Sequence, residues 1–268
     1  MRVPGILLAY AFAPSAEIRG FSRPLTVRFF LIVLLSISAL ISGCATSSAR
    51  LGDSKETRVS ASGSELIYSG RISFEANQRL FELAASLGEM PKTLVITSKG
   101  GDVAAGLELG RWVFDSGLDV SIPEYCMSSC ANYVFVAGAQ KILASQASLM
   151  WHGGATQRFD VDCDSVNWSE SAAVCDEQQL RELVQATIAR LIPLETEFFE
   201  TVGVDQRITT FGQQPEYACA GGRGHVGWYY SISDLASLGV DRIQVRGGEW
   251  RPKTQTADFN ICRVDLRR

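Results

Sequence analysis

Apolar positions along this chain fall into two alternating rhythms. Short, β-branched runs read as strands: "ELIYSGRIS" from Glu65, "KTLVITS" from Lys92, "DVSIPEY" from Asp119, and "KILASQASLMWH" from Lys141, which predicts one or two strands ending at His152. Between them the spacing turns helical. "FEANQRLFELAASLG" places Leu80, Leu83, Ala84 and Leu87 on one face before Gly88, "GGDVAAGLELGRWVFDSG" feeds a glycine turn into a helix, and "SCANYVFVAGA" predicts a short helix. Strands alternating with helices predict an α/β fold of βαβ units around a mostly parallel sheet.

Beyond His152 the pattern changes. "GGATQRFDVDCDSVNWSESAAVC" is polar and aperiodic and reads as an inserted loop over 155–175. From Asp176 a helical stripe of Leu180, Leu183, Val184, Thr187, Ile188 and Leu191 runs until Pro193, where an interruption is expected, and a second piece ends at Gly203. The remainder predicts strand-like pieces, a glycine-rich insertion over 212–228 and a short helix capped near Ser231 or Ser233. No internal repeat is visible.

The N-terminal region carries a different signal. Phe29 to Ile41, "FFLIVLLSISALI", is apolar over a length suited to a signal-peptide core, and Arg23 and Arg28 supply its positive flank. The run ends in "LISGC", which resembles the bacterial lipobox. That resemblance implies a signal peptide over 1–43, lipidation of Cys44, and a lipoprotein in the cell envelope that faces the periplasm from the inner or outer membrane. The long lead-in suggests a mis-assigned start, with Val27 as the initiator. Ser-rich 44–64 reads as a tether, so the folded domain is expected over 65–268 with order beginning near Leu66.

At 268 residues, 46% hydrophobic and 20% charged, the chain fits one globular domain or at most two small ones. A net charge of -4 with scattered arginines argues against a nucleic-acid partner. Beyond Cys44 six cysteines remain: Cys126, Cys130, Cys163, Cys175, Cys219 and Cys262. In an oxidising compartment they favour disulfides, with Cys163–Cys175 and Cys219–Cys262 plausible among many pairings. With no CxxC pair and only two histidines, no metal is expected.

Three features share the layout that acyl transfer needs. "SKGGD" follows a strand and opens a helix, so backbone N–H groups there can face a developing oxyanion. "SSC" precedes a second helix start. His152 ends the next strand, and in a parallel sheet the carboxyl ends of strands share an edge. Each feature also has an ordinary reading: the serines as helix caps, His152 as a core histidine beside Trp151, and Gly100 and Gly101 as turn formers.

The order strand, "GGDVAAG", helix, strand, serine at a helix start, "AG", strand, "MWHGG" resembles the Clp-protease/crotonase fold, in its serine-peptidase branch, and most closely the exported ClpP-like proteins. The likeness covers roughly 65–245. It implies a spiral of βαβ units, peptide-bond hydrolysis without a cofactor, and self-association of the kind common in the family. Gly100 and Gly101 match the oxyanion-hole glycines, with a second N–H from the residue after the nucleophile, and His152 matches the base. An ungapped count back from "VFVAG" selects Ser129 as nucleophile, whereas the cysteine-flanked pattern of the exported relatives selects Ser128; the first has the edge. Asp205 occupies the place of the family's acid, although a local cap reads as well there. Cys126 and Cys130 bracket both serines, and a bond between them would rigidify or distort that turn. An inactive member of the fold, acting as a binding or scaffold module, is the alternative; a crotonase-type acyl-CoA enzyme is disfavoured outside the cytoplasm.

Overall fold

The computed structural model describes residues 56–157, 176–217 and 224–266, all within the compact unit Ser54–Arg268. The expected signal segment, Cys44, Cys163, Cys175 and Cys219 lie outside the described residues.

The expected α/β architecture is present. Strands β1 (Arg58–Ser62), β2 (Glu65–Ser69), β3 (Thr93–Thr97), β4 (Asp119–Ile122), β6 (Lys141–Ala144) and β9 (Ile243–Arg246) form a six-stranded sheet in the order β1-β2-β3-β4-β6-β9, parallel apart from β1. Alternation along β2 and β3 buries Leu66, Tyr68, Leu94 and Ile96 completely. Helices α1 (Phe74–Ser86) and α2 (Val103–Asp115) supply the crossovers. The hydroxyl of Ser73 caps α1, and the carboxylate of Asp102 caps α2 by accepting from the Ala105 N–H at 2.9 Å.

A second layer grows from the same units. Past β2, Ile72 bridges Gly101; past β3, Ser98 bridges Cys126; past β4 comes β5 (Tyr125–Met127), which pairs in parallel with β7 (Ser148–Met150), the continuation of β6. Trp151 then pairs antiparallel with Trp228, the start of the β8 (Gly227–Tyr230) and β10 (Ile261–Val264) ribbon. Each unit thus gives one strand to the large sheet and an extension to the small layer. Gly100, Gly101, Ser128 and His152 all sit where those extensions end.

Three expectations need correction. The segment read as a tether contains β1, which pairs with β2 through a hairpin around left-handed Gly63 and tucks Val59 and Ala61 half under cover. Its polar outer face, normal for an edge strand, hid it in the sequence. Pro193 does not interrupt the helix that follows: α3 runs Glu177–Val202, and Ala189, whose carbonyl loses its donor to the proline, is an exposed residue, where such a loss is least costly. The glycine-rich region read as an insertion ends in β8, where Trp228 and Tyr230 are core side chains. Helix α4 (Ile232–Ser237) is capped by Ser231, one of the two expected caps.

Candidate active site around Ser128 and His152

The turn after β5 is held in an uncommon conformation. Ser128 has φ 55°, one of two described non-glycine residues with positive φ, and a serine pays about 1–2 kcal/mol for that region. Surrounding bonds fix it there: its N–H donates to the Met150 carbonyl at 2.9 Å, and its carbonyl accepts from the Asn132 N–H at 2.8 Å. A disulfide joins Cys126 and Cys130 across the turn. The outcome is a hydroxyl lifted off the chain, with Oγ 2.7 Å from His152 Nε2.

The following segment is a helix with a π-helical turn over Cys130–Phe135, every residue of it buried. It packs against α2 at Gly106 and Gly110, where a Cβ would come within 2.8 Å of Ser129 and Tyr133 and within 2.7 Å of the Tyr133 carbonyl, respectively. A side chain at Gly106 would press directly on Ser129, and one at Gly110 on the helix that follows it.

His152 is placed from both sides. Trp151 before it is fully buried, exchanges two backbone hydrogen bonds of 2.8 Å with Trp228, and packs its ring edge-on to Phe135 and Tyr230. The His152 carbonyl accepts from Gln213 Nε2, and the Gly153 carbonyl from Asn132 Nδ2. The imidazole lies at the exposed surface with protein on one side, and the resulting desolvation lowers its pKa below the ordinary 6.5. Near neutral pH it is therefore an uncharged ring whose Nε2 can accept the Ser128 proton.

The two serines have separate jobs. Ser129, the residue favoured by the ungapped count, is 1% exposed, and its hydroxyl accepts the Gly101 N–H at 2.8 Å. It does not meet His152; Ser128 does. Left-handed backbone swings the first side chain out and turns the second in, a reversal that residue counting does not register.

Gly100 and Gly101 line the same pocket as Ser128 and His152, a cavity of about 390 Å³ also bordered by Arg71, Lys99, Tyr125 and Met150. Their N–H groups are already engaged: Gly100 donates to Ser98 Oγ at 3.0 Å and Gly101 to Ser129 Oγ. Glycine is required there for close approach, since a Cβ on Gly100 (φ 91°) would lie 2.7 Å from the Met127 carbonyl and one on Gly101 would enter the Ile72 backbone. The Ser129 amide remains beside them, 3.0 Å from where a Gly100 Cβ would be, and as the first residue of its helix it has no intrahelical acceptor.

Asp205 is not brought to His152. It caps a 3-10 turn (Gln206–Thr209), and its carboxylate takes the Arg207 guanidinium at 2.6 to 3.1 Å together with the Arg207 N–H, an arrangement that holds its pKa below the usual carboxylate value. The local-cap reading describes it. Among the described residues His152 has no carboxylate partner in a hydrogen bond or ion pair, and no group of three His, Cys, Asp or Glu converges on a metal position. What the sequence did not flag is Asn132 and Glu195, both buried polar side chains that bond the backbone just after His152, at Gly153 and Ala155.

No family model and no curated protein matches the chain. Solved structures with a partial likeness include the enoyl-CoA hydratase from Thermoplasma volcanium GSS1, at TM-score 0.28 and 12% identity over 35% of this chain and 50% of that one. A methylmalonyl-CoA decarboxylase matches at TM-score 0.28 and 9% identity over 37% and 48%. The chain spans about half the length of these structures.

Proposed function

We propose that the protein is a serine hydrolase that cleaves peptide bonds through a Ser128–His152 pair. The observation that carries this reading is the 2.7 Å contact between Ser128 Oγ and His152 Nε2, on a left-handed turn pinned by a disulfide and opening onto a pocket. In the reaction His152 Nε2 takes the hydroxyl proton as Oγ bonds to the substrate carbonyl carbon. The tetrahedral species collapses with loss of the amine, which receives that proton, and water releases the acyl group by the same steps. The Ser129 amide is the donor best placed for the oxyanion, aided by a diglycine N–H once substrate displaces its internal hydroxyl acceptor.

The Cys126–Cys130 bond and the disulfide-bonded state of Cys262 support placement in an oxidising compartment, in keeping with export and anchoring through Cys44. A second reading has its own support: with both diglycine N–H groups internally bonded and no carboxylate on His152 among the described residues, the same pocket serves a binding module that performs no chemistry. A fluorophosphonate probe separates the two. Labelling of Ser128 that is lost in Ser128→Ala and in His152→Ala supports the hydrolase; a folded wild-type protein that resists the probe supports the binding module.

A further inference from the structure

Glu195 is a carboxylate with no accessible surface, on the inner face of α3. A buried acid is costly unless its oxygens are hydrogen-bonded, and here both are. Oε1 accepts the Tyr133 hydroxyl at 2.6 Å, the Ala155 N–H lies 3.1 and 3.0 Å from the two oxygens, and Oε2 accepts Gln206 Nε2 at 2.8 Å. The three partners are strategic. Tyr133 belongs to the helix that starts behind Ser128, Ala155 lies three residues past His152, and Gln206 belongs to the turn capped by Asp205. Gly154 has no side chain for a matching reason: a Cβ there would sit 2.7 Å from Glu195 Oε1 and from Thr209 Oγ1. Asn132 ties the same two strands of chain together one step nearer the site, with its N–H on the Ser128 carbonyl and its Nδ2 on the Gly153 carbonyl, both at 2.8 Å.

We infer that Glu195 is a positioning residue, which locks the chain after His152 onto the helix after Ser128 and so sets the distance between base and hydroxyl. This rests on the reading of Ser128 and His152 as the reacting pair. In a triad a carboxylate steadies the imidazole ring directly. Here a carboxylate steadies the backbone that carries the ring, by accepting from both pieces of chain that must stay in register. Misplacement of reacting groups by about 1 Å costs on the order of a hundredfold in rate, so small slippage at Ala155 is enough to matter.

The test compares the full chain with Glu195→Gln, whose amide turns a donor toward the cluster, and with Tyr133→Phe, which removes one bond and keeps the ring packing. Two readouts are taken on protein shown to be folded by near-UV circular dichroism. The first is the rate of fluorophosphonate labelling at Ser128; the expectation is a fall of about tenfold or more in Glu195→Gln and a smaller fall in Tyr133→Phe. The second is the NMR titration of His152, simple to assign in a chain with two histidines; its midpoint, below 6.5 in the wild type, is expected to move toward 6.5 as the loop loosens. Should Glu195→Gln not fold, Tyr133→Phe and Gln206→Ala carry the same comparison. Folded variants with wild-type labelling rate and an unmoved His152 titration overturn the inference. If the wild type resists the probe, the hydrolase reading fails, and the titration alone still decides whether Glu195 sets the position of His152.

Discussion

Replacing Ser128 by glycine and by alanine isolates the backbone conformation of the turn. Both variants lose the Oγ contact to His152, so that loss, about 1 kcal/mol for an ordinary hydrogen bond, cancels between them. Both keep the N–H bond to Met150 and the carbonyl bond from Asn132. What differs is the energy of φ 55°: about 1–2 kcal/mol against alanine, partly offset by the roughly 0.5–1 kcal/mol of extra freedom glycine loses on folding. The net expectation is that Ser128→Gly is more stable than Ser128→Ala by about 1 kcal/mol, or ~2–4 °C in Tm for a domain of this size. The sign is the informative part, because glycine is the poorer residue in regular structure. Urea and thermal unfolding of the two variants, both oxidised, read it directly. An alanine variant as stable as the glycine variant, or more so, refutes the left-handed turn and with it the lifted hydroxyl.

Ser129→Ala strands the Gly101 N–H and is expected to cost about 1–3 kcal/mol of stability while leaving the label on Ser128. Labelling is expected to rise with pH and level off below 6.5, because the His152 pKa is lowered by desolvation. The same group fixes a stability trend: its folded pKa lies below its unfolded one, so its contribution is complete above 6.5 and is lost as pH falls through the folded value, a trend absent from His152→Ala. Reducing Cys126–Cys130, or replacing both residues by alanine, is expected to cost about 2 kcal/mol from the entropy of so short a loop, read as a lowered urea midpoint. Lys141 is 4% exposed, with burial lowering its pKa to about 8 and Asp241 4.0 Å away. Stability is expected to rise as pH climbs from 8 toward 10.5, and Lys141→Met to gain about 1–3 kcal/mol at pH 7.

The α/β frame was legible because the buried strands of a parallel sheet write themselves as short apolar runs. Gly100, Gly101, Ser128 and His152 were legible as a group because all four follow such runs. The choice between Ser128 and Ser129 was not, since it depends on a single φ angle that leaves no trace in composition. Asp205 was misplaced because a D-x-R pair is satisfied locally before any distant imidazole can compete. Glu195 escaped notice for a related reason: in "LETEFFETVG" it is one of three glutamates on a helix, and only the approach of Gly154 and Tyr133 distinguishes it from its exposed neighbours Glu197 and Glu200.

The pairing of Trp151 with Trp228 has a consequence for the order in which the protein matures. The hydroxyl turn depends on chain that is complete by Met150, so it can form early as the polypeptide lengthens. The imidazole depends on backbone that arrives 77 residues after Trp151. A chain cut ahead of Gly227 therefore keeps its Ser128 turn and loses the anchor of His152, which makes the contact between hydroxyl and imidazole a property gained late, once the C-terminal segment that carries Trp228 has folded back.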